Sequence, residues 1–213
     1  RGTFFCGFWI SSTAIEIDSK PKKPKNIKEA PAIIPELPPY ILPKPNGAKS
    51  DQFSGLMYQI PTKINKAKAE NFNITNIELK TGINEYLGIE EKVYKLIKEY
   101  QLEEKVIISS FNHFSILRIK KIAPELKCGF LSEDWIIDAG AYTASHKVEC
   151  FHPRFNNLIP EVVAELKKNN IEINTWTVNR EDDINDLIDK KVDILIGNYP
   201  DLVKKIINKK NRG

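Results

Sequence analysis

Asn73-Ile-Thr-Asn-Ile-Glu-Leu-Lys-Thr-Gly82 is a short apolar run carrying a carboxylate and an ammonium two residues apart. Residues i and i+2 of a strand share a face, so Glu78 and Lys80 point the same way, towards the strand's C-terminal end. A cation bound to a phosphate needs that pairing: a hard anionic oxygen for the metal and a fixed positive charge for the phosphoryl oxygens. The rest of the chain is read as scaffolding that brings further groups to this point.

Downstream, strand and helix signals alternate. A strand at Ile74–Lys80 precedes a helix at Ile89–Tyr100, where Ile89, Val93, Leu96, Ile97 and Tyr100 fall at helical spacing. Val106–Phe111 reads as a strand and His113–Ile122 as a helix stopped before Pro124. Cys128–Leu131 is a short strand, Trp135–Ser145 has no clear pattern, and Glu149–His152 is another strand. A helix from Pro160 to Lys168 uses proline in its first turn, and Ile173–Asn179 is the next strand. Arg180-Glu-Asp-Asp183 opens a helix to Asp189, its acidic start complementing the helix dipole, before Asp193–Asn198 and a last helix at Asp201–Ile207. Near-continuous apolar strands alternating with helices predict a parallel sheet.

Two more strands before residue 73 would make eight. The expected fold is therefore α/β, a (β/α)8 TIM barrel with an atypical or incomplete N-terminal third, in one domain over residues 1–213. An open doubly wound sheet is the alternative, but no glycine-rich βα turn of the dinucleotide type occurs. In the N-terminal third, Ala14-Ile-Glu-Ile-Asp18 alternates like a strand with Glu16 and Asp18 on one face. Residues 21–47 hold eight of the thirteen prolines, mixed with lysine, and read as an extended loop unusually long for a single domain.

Composition narrows the class of protein. The chain has 213 residues, 41% hydrophobic and 28% charged, enough for one substantial core. A net charge of +4 with lysine spread along the chain does not form a nucleic-acid footprint. No apolar run reaches membrane-spanning length and the opening residues lack a signal-peptide layout, so stable membrane insertion is not expected. Cys6, Cys128 and Cys150 are too few and too scattered for a disulfide framework, which points to buried thiols in a reducing, cytoplasmic setting.

In a barrel the strand C-termini would present Glu16 and Asp18, Glu78 and Lys80, Ser110-Phe111-Asn112, His152, Trp176 with Asn179, and Asn198-Tyr199. Three carboxylates converging on one mouth make an all-oxygen site of the kind that holds Mg²⁺ or Ca²⁺. Phe111 and Trp176 would form apolar walls and Asn179 could orient a hydroxyl, although an inward aromatic is more often plain core. His113 is expected to flank its helix and His146 to lie on the surface.

In order and spacing, Asn76-Ile-Glu-Leu-Lys-Thr-Gly82, Gly88-Ile-Glu-Glu-Lys-Val93, Val106-Ile-Ile-Ser-Ser-Phe-Asn-His113, Phe151-His-Pro153, Asn174-Thr-Trp-Thr-Val-Asn179 and Asn198-Tyr-Pro-Asp-Leu202 make the chain resemble the bacterial glycerophosphodiester phosphodiesterases from about Ile60 to Ile207. The resemblance implies a TIM-barrel phosphodiesterase domain that hydrolyses glycerophosphodiesters to glycerol 3-phosphate and an alcohol with a divalent cation. It assigns Glu16, Asp18 and Glu78 to the metal, and Lys80 and Arg1 to the phosphate. Phe111, Trp176 and Asn179 would contact substrate, with His152 at the pocket rim. The implied partner is a small-molecule glycerophosphodiester, with no nucleic acid, and a homodimer is compatible with it.

The resemblance departs before residue 60. No histidine precedes Arg1 and no His-Asp pair follows Asp18, so the family's acid and base histidines have no counterpart here. Arg1 to Glu16 spans only 15 positions, against roughly 30 for a strand–helix–strand unit. Retention of Glu16, Asp18 and Glu78 favours the reading that the sequence joins pieces of a longer chain. The alternatives are a non-catalytic barrel that binds a phosphoester, and a related phosphodiesterase with another head-group substrate.

Overall fold

The computed structural model describes residues 8–11, 14–16, 74–83 and 86–211. Arg1, Asp18 and the proline-rich segment 21–47 lie outside these. The first strands are β1 (Phe8–Ser11) and β2 (Ala14–Glu16). From residue 75 the chain alternates regularly: β3 (Thr75–Leu79), α1 (Ile89–Glu99), β4 (Val106–Ser110), α2 (His113–Ile122), β5 (Lys127–Ser132), α3 (Ala139–Ser145), β6 (Cys150–Pro153), α4 (Pro160–Lys168), β7 (Glu172–Trp176), α5 (Glu181–Asp189), β8 (Ile194–Ile196) and α6 (Pro200–Lys210). The sheet order is β1-β3-β4-β5-β6-β7-β8-β2, and β3 to β8 are parallel. This is the repeat expected of a (β/α) barrel.

The first two strands depart from the expectation. β1 pairs antiparallel with β3, Phe8 facing Leu79 and Ser11 facing Asn76, and β2 pairs antiparallel with β8, Ala14 facing Ile196 and Glu16 facing Ile194. Only Ser12 and Thr13 separate them. Parallel neighbours need a crossover of about a dozen residues or more, which this stretch cannot supply. β1 thus lies along the β3 edge and β2 along the β8 edge.

Local chemistry explains the remaining differences. The unclear segment resolves into a loop and the short α3, entered through Asp138 at φ 56°. β7 ends at Trp176 rather than Asn179; just beyond it the Val178 N–H donates to the Ile196 carbonyl of β8 at 2.9 Å. α6 runs to Lys210, past the expected end at Ile207, with basic residues in its last turn.

Period-two alternation divides the strands into two faces. Ile77, Leu79, Ile108, Phe130, Phe151, Ile173 and Leu195 pack beneath the helices in one continuous core. Each such large side chain contributes about 1.5–3 kcal/mol on burial. The opposite face carries Ile107, Cys150, Ile194 and Ile196 with polar residues between them. Buried Glu90 of α1 accepts from the Ser115 hydroxyl at 2.5 Å and from Arg118 Nε at 2.9 Å, tying α1 to α2. Glu165 of α4 reaches the first turn of α3, where it accepts the N–H groups of Gly140 (2.6 Å) and Ala141 (2.9 Å).

The polar face depends on one close approach. A Cβ at Gly129 of β5 would lie 2.3 Å from His152 Nε2, so the imidazole fills the space that a side chain would take. Gly129→Ala should destabilise the protein by about 1–3 kcal/mol in urea titration, and the Gly129→Ala/His152→Ala pair should be clearly non-additive. Glu165→Ala, which strips two N–H partners from α3, should cost about 1–2 kcal/mol in the same measurement.

Candidate active site

Glu78 and Lys80 lie on the face away from the helices, at the C-terminal end of β3. Lys80 Nζ donates to Glu78 Oε1 at 2.9 Å, with the side chains 42% and 16% exposed. The same-face expectation is met, and the ammonium is directed by the carboxylate rather than standing apart from it. Glu78 registers with Ser109 of β4, and Phe111 follows two residues later at the same end.

The Phe111 ring meets Trp176 edge-on, with centroids 5.5 Å apart and planes at 89°. Trp176 is held from behind, its Nε1–H donating to the His152 carbonyl at 2.9 Å. Asn179 accepts the Asn198 N–H through Oδ1 at 2.8 Å, joining the loops after β7 and β8. A Cβ at Gly197 would sit 2.1 Å from the Val178 carbonyl, so glycine lets these loops touch. The amide nitrogen of Asn179 has no hydrogen-bond partner among the described residues and remains a donor for a ligand oxygen. Phe111, Trp176 and Asn179 are thus brought to one end of the sheet, as expected.

His152 is not at the rim. It is completely buried in the middle of the polar face, because β6 carries it inward over Gly129. The Asn174 amide donates to Nε2 at 3.1 Å, which selects the neutral tautomer with its proton on Nδ1. Burial, with a smaller contribution from Lys127, pushes the imidazole down to about 3. It is therefore neutral at physiological pH and cannot serve as a protonated acid towards a leaving alcohol.

Asn76, Ser109 and Asn174 were not singled out in the sequence, yet they form the polar layer below the mouth. The Asn76 amide donates to Ser109 Oγ at 3.0 Å. Asn76 Oδ1, His152 Nδ1 and Asn174 Oδ1 are buried and without partners among the described residues. Polar residues at alternate positions of otherwise apolar strands were the available signal.

His113 opens α2 as expected, but its ring also turns into the β4–β5 side of the mouth. It stacks on Phe130 at 4.2 Å and is bonded to the Tyr142 hydroxyl and the Leu131 carbonyl, each at 2.9 Å. Burial, opposed by the Leu131 hydrogen bond, lowers its pKa. His146 is half-buried against Tyr142 at 4.9 Å rather than on the open surface. With Phe111, Leu131, Ser132, Glu133, Asp134 and Ile136, His113 lines a cleft of about 510 Å³.

Of the predicted metal ligands, Glu78 is described with its side chain. The β2 register puts Glu16 opposite Ile194, the first residue of β8, whereas it was expected at the strand C-termini. Asp18 and the phosphate contact Arg1 lie outside the described residues. Among the described residues no three His, Cys, Asp or Glu side chains cluster in a metal-binding arrangement, and no helix is long and apolar enough to cross a membrane.

The His152 shift has a consequence for acid stability. A folded pKa of about 3 against the ordinary 6.5 means that the unfolded chain binds the proton first. The neutral ring's contribution is complete above pH 6.5 and is lost as pH falls towards 3, by up to about 1.4 kcal/mol per pH unit. Urea titrations at pH 7, 5 and 4 should show this decline, and His152→Asn should flatten it.

The model of the glycerophosphoryl diester phosphodiesterase family matches residues 51–202. A curated glycerophosphodiester phosphodiesterase from Caldanaerobacter subterraneus subsp. tengcongensis is 42% identical over 136 residues, 64% of this chain and 56% of the relative. One from Bacillus altitudinis is 35% identical over 133 residues, 62% and 54% of the two chains. The chain thus spans about half the length of the curated relatives it matches. A crystal structure of a glycerophosphodiester phosphodiesterase from Parabacteroides distasonis superposes with a TM-score of 0.62 at 17% identity, covering 71% of this chain and 64% of that one. A Galdieria sulphuraria structure gives 0.62 at 19% identity, over 70% and 63%. At these identities the superpositions establish the fold, a TIM barrel of which the six parallel strands form the regular part. The family match covers well over half of the sequence, including Glu78, Lys80, Phe111, Trp176 and Asn179, and the chain belongs to the glycerophosphoryl diester phosphodiesterase family.

Proposed function

We propose that this chain hydrolyses glycerophosphodiesters to glycerol 3-phosphate and an alcohol with a divalent cation, Mg²⁺ or Ca²⁺. The observation that carries the reading is the Glu78–Lys80 pair, 2.9 Å apart at the strand C-termini, within the matched region. Glu78 presents a hard carboxylate oxygen of the type that both cations prefer, so the residue fits the role. We assign it as the ligand; Glu16, opposite the first residue of β8, is not brought to the same end. When bound, the cation would stabilise charge on the phosphoryl oxygens and lower the pKa of a coordinated hydroxyl or water.

The chain's own groups do the rest. Lys80, poised by Glu78, neutralises the phosphoryl oxygens as charge accumulates on them. Phe111 and Trp176 wall off water on one side, and Asn179 donates to a substrate hydroxyl or phosphoryl oxygen. The attacking oxygen bonds to phosphorus, the bond from phosphorus to the alcohol oxygen breaks, and the proton lost by the nucleophile balances the one gained by the alcohol. In this reading His152, fully buried and held by Asn174, is not the acid. Buried unpaired thiols at Cys128 and Cys150 support a reducing, cytoplasmic setting.

Glu78→Gln should lower metal-dependent release of glycerol 3-phosphate from a glycerophosphodiester by about 100-fold or more. Undiminished release would sink the assignment. Ligand-induced thermal stabilisation with no release by the unaltered protein would instead identify a phosphoester-binding barrel.

A further inference from the structure

Side-chain hydrogen bonds behind the mouth join the end of β3 to the end of β4. We propose that Ser110 and Asn112 are positioning residues, holding the β3 end so that the Lys80 ammonium keeps a fixed place opposite the Phe111–Trp176 wall. This rests on the phosphodiesterase reading and adds two residues to the machinery it describes.

The backbone ladder between the two strands runs from Thr75 opposite Val106 to Glu78 opposite Ser109. Lys80 and Phe111 both lie beyond its last pair, where side chains take over. The Ser110 hydroxyl donates to the Leu79 carbonyl at 2.6 Å and accepts the Asn112 N–H at 3.0 Å. The Thr81 hydroxyl lies 3.5 Å from the same oxygen, and the Asn112 amide donates to the Thr81 carbonyl at 3.2 Å. The neighbours of Lys80 on either side are thereby tied to the neighbours of Phe111 on either side.

Leu79, Thr81 and Ser110 are buried, so their polar groups must find partners inside the protein. Asn112 occupies the N-cap position of α2, where asparagine ordinarily bonds to the helix's first N–H groups. Its side chain makes no such bond and reaches across to β3 instead. Ser110 shares a face with Ile108, which packs beneath the helices, whereas Glu78 and Lys80 lie on the opposite face. The hydroxyl therefore stands behind Lys80 and acts through it, not on the substrate.

What this arrangement fixes is the place of the ammonium relative to the wall. Lys80 carries its charge on a flexible stem that Glu78 directs from the same strand, so the ammonium is placed only as well as the β3 backbone. A substrate must meet Lys80, on β3, and the Phe111 ring, just past β4, at the same moment. A misplacement of about 1 Å costs up to about 100-fold in rate.

The test is a double-mutant cycle against Lys80→Met, read as kcat/KM for metal-dependent release of glycerol 3-phosphate from a glycerophosphodiester. Asn112→Ala should lower kcat/KM about tenfold with Lys80 present and by less than about twofold in Lys80→Met. Equal losses in the two backgrounds, or no loss in the first, overturn the proposal, because a merely structural contact acts whether or not the ammonium is there. Ser110→Ala should behave alike; urea titration shows whether it folds, and Asn112→Ala decides if it does not. Inorganic phosphate, followed by the amide chemical shifts of Lys80 and Thr81, gives a readout without turnover, which also decides where release by Lys80→Met is too slow to measure. Shifts that shrink in Asn112→Ala support the proposal, and unchanged shifts, or none in the unaltered chain, overturn it. If the unaltered chain hydrolyses no glycerophosphodiester, the phosphodiesterase reading fails and the phosphate titration alone decides the role of Ser110 and Asn112.

Discussion

Six parallel strands bury side chains on both of their faces, and this constraint shapes everything around the site. The helix side is met with Ile, Leu and Phe. On the other side His152, Asn174, Asn76 and Ser109 are buried together; two hydrogen bonds offset part of the desolvation, and three of their polar atoms are without partners among the described residues. The layer closes only because Gly129 has no side chain where the imidazole lies. One glycine thus sets where β6 carries its histidine, and that histidine's carbonyl in turn holds the Trp176 indole.

Above this neutral layer, the Glu78–Lys80 pair brings charge to the mouth. The Glu78–Lys80 pair sits on one strand, so its geometry follows from strand pleating and does not require a loop to fold correctly. The aromatic wall is assembled differently. Phe111 and Trp176 come from strands far apart in sequence and meet only when the sheet curls. Burial removes His152 from acid chemistry for the same reason that it makes a good packing element: a low-dielectric setting disfavours the imidazolium.

Much of this was legible from the sequence. Helical spacing located α2 and α4 to the residue, and β2 to β8 were placed to within three residues at their ends. The shared face of Glu78 and Lys80 followed from period two alone. The direction of the first two strands was not legible, because an alternating pattern such as Ala14-Ile-Glu-Ile-Asp18 is the same read from either end. What pairs with it, and in which sense, depends on the edges that β3 and β8 leave open. His152 was misplaced at the rim because a Phe-His-Pro run marks a strand end without showing how deep the strand sits.

The sequence by itself determined the α/β alternation, the barrel class, the family motifs and the carboxylate–ammonium pair, since these depend on local periodicity and spacing. Only the tertiary structure decided that His152 is an interior, neutral group, that Phe111 and Trp176 share an edge, and that Glu133 and Asp134 face a cleft beside them. Each of those depends on which strands become neighbours and how far the sheet turns. Such contacts join residues many positions apart, and no local pattern encodes them.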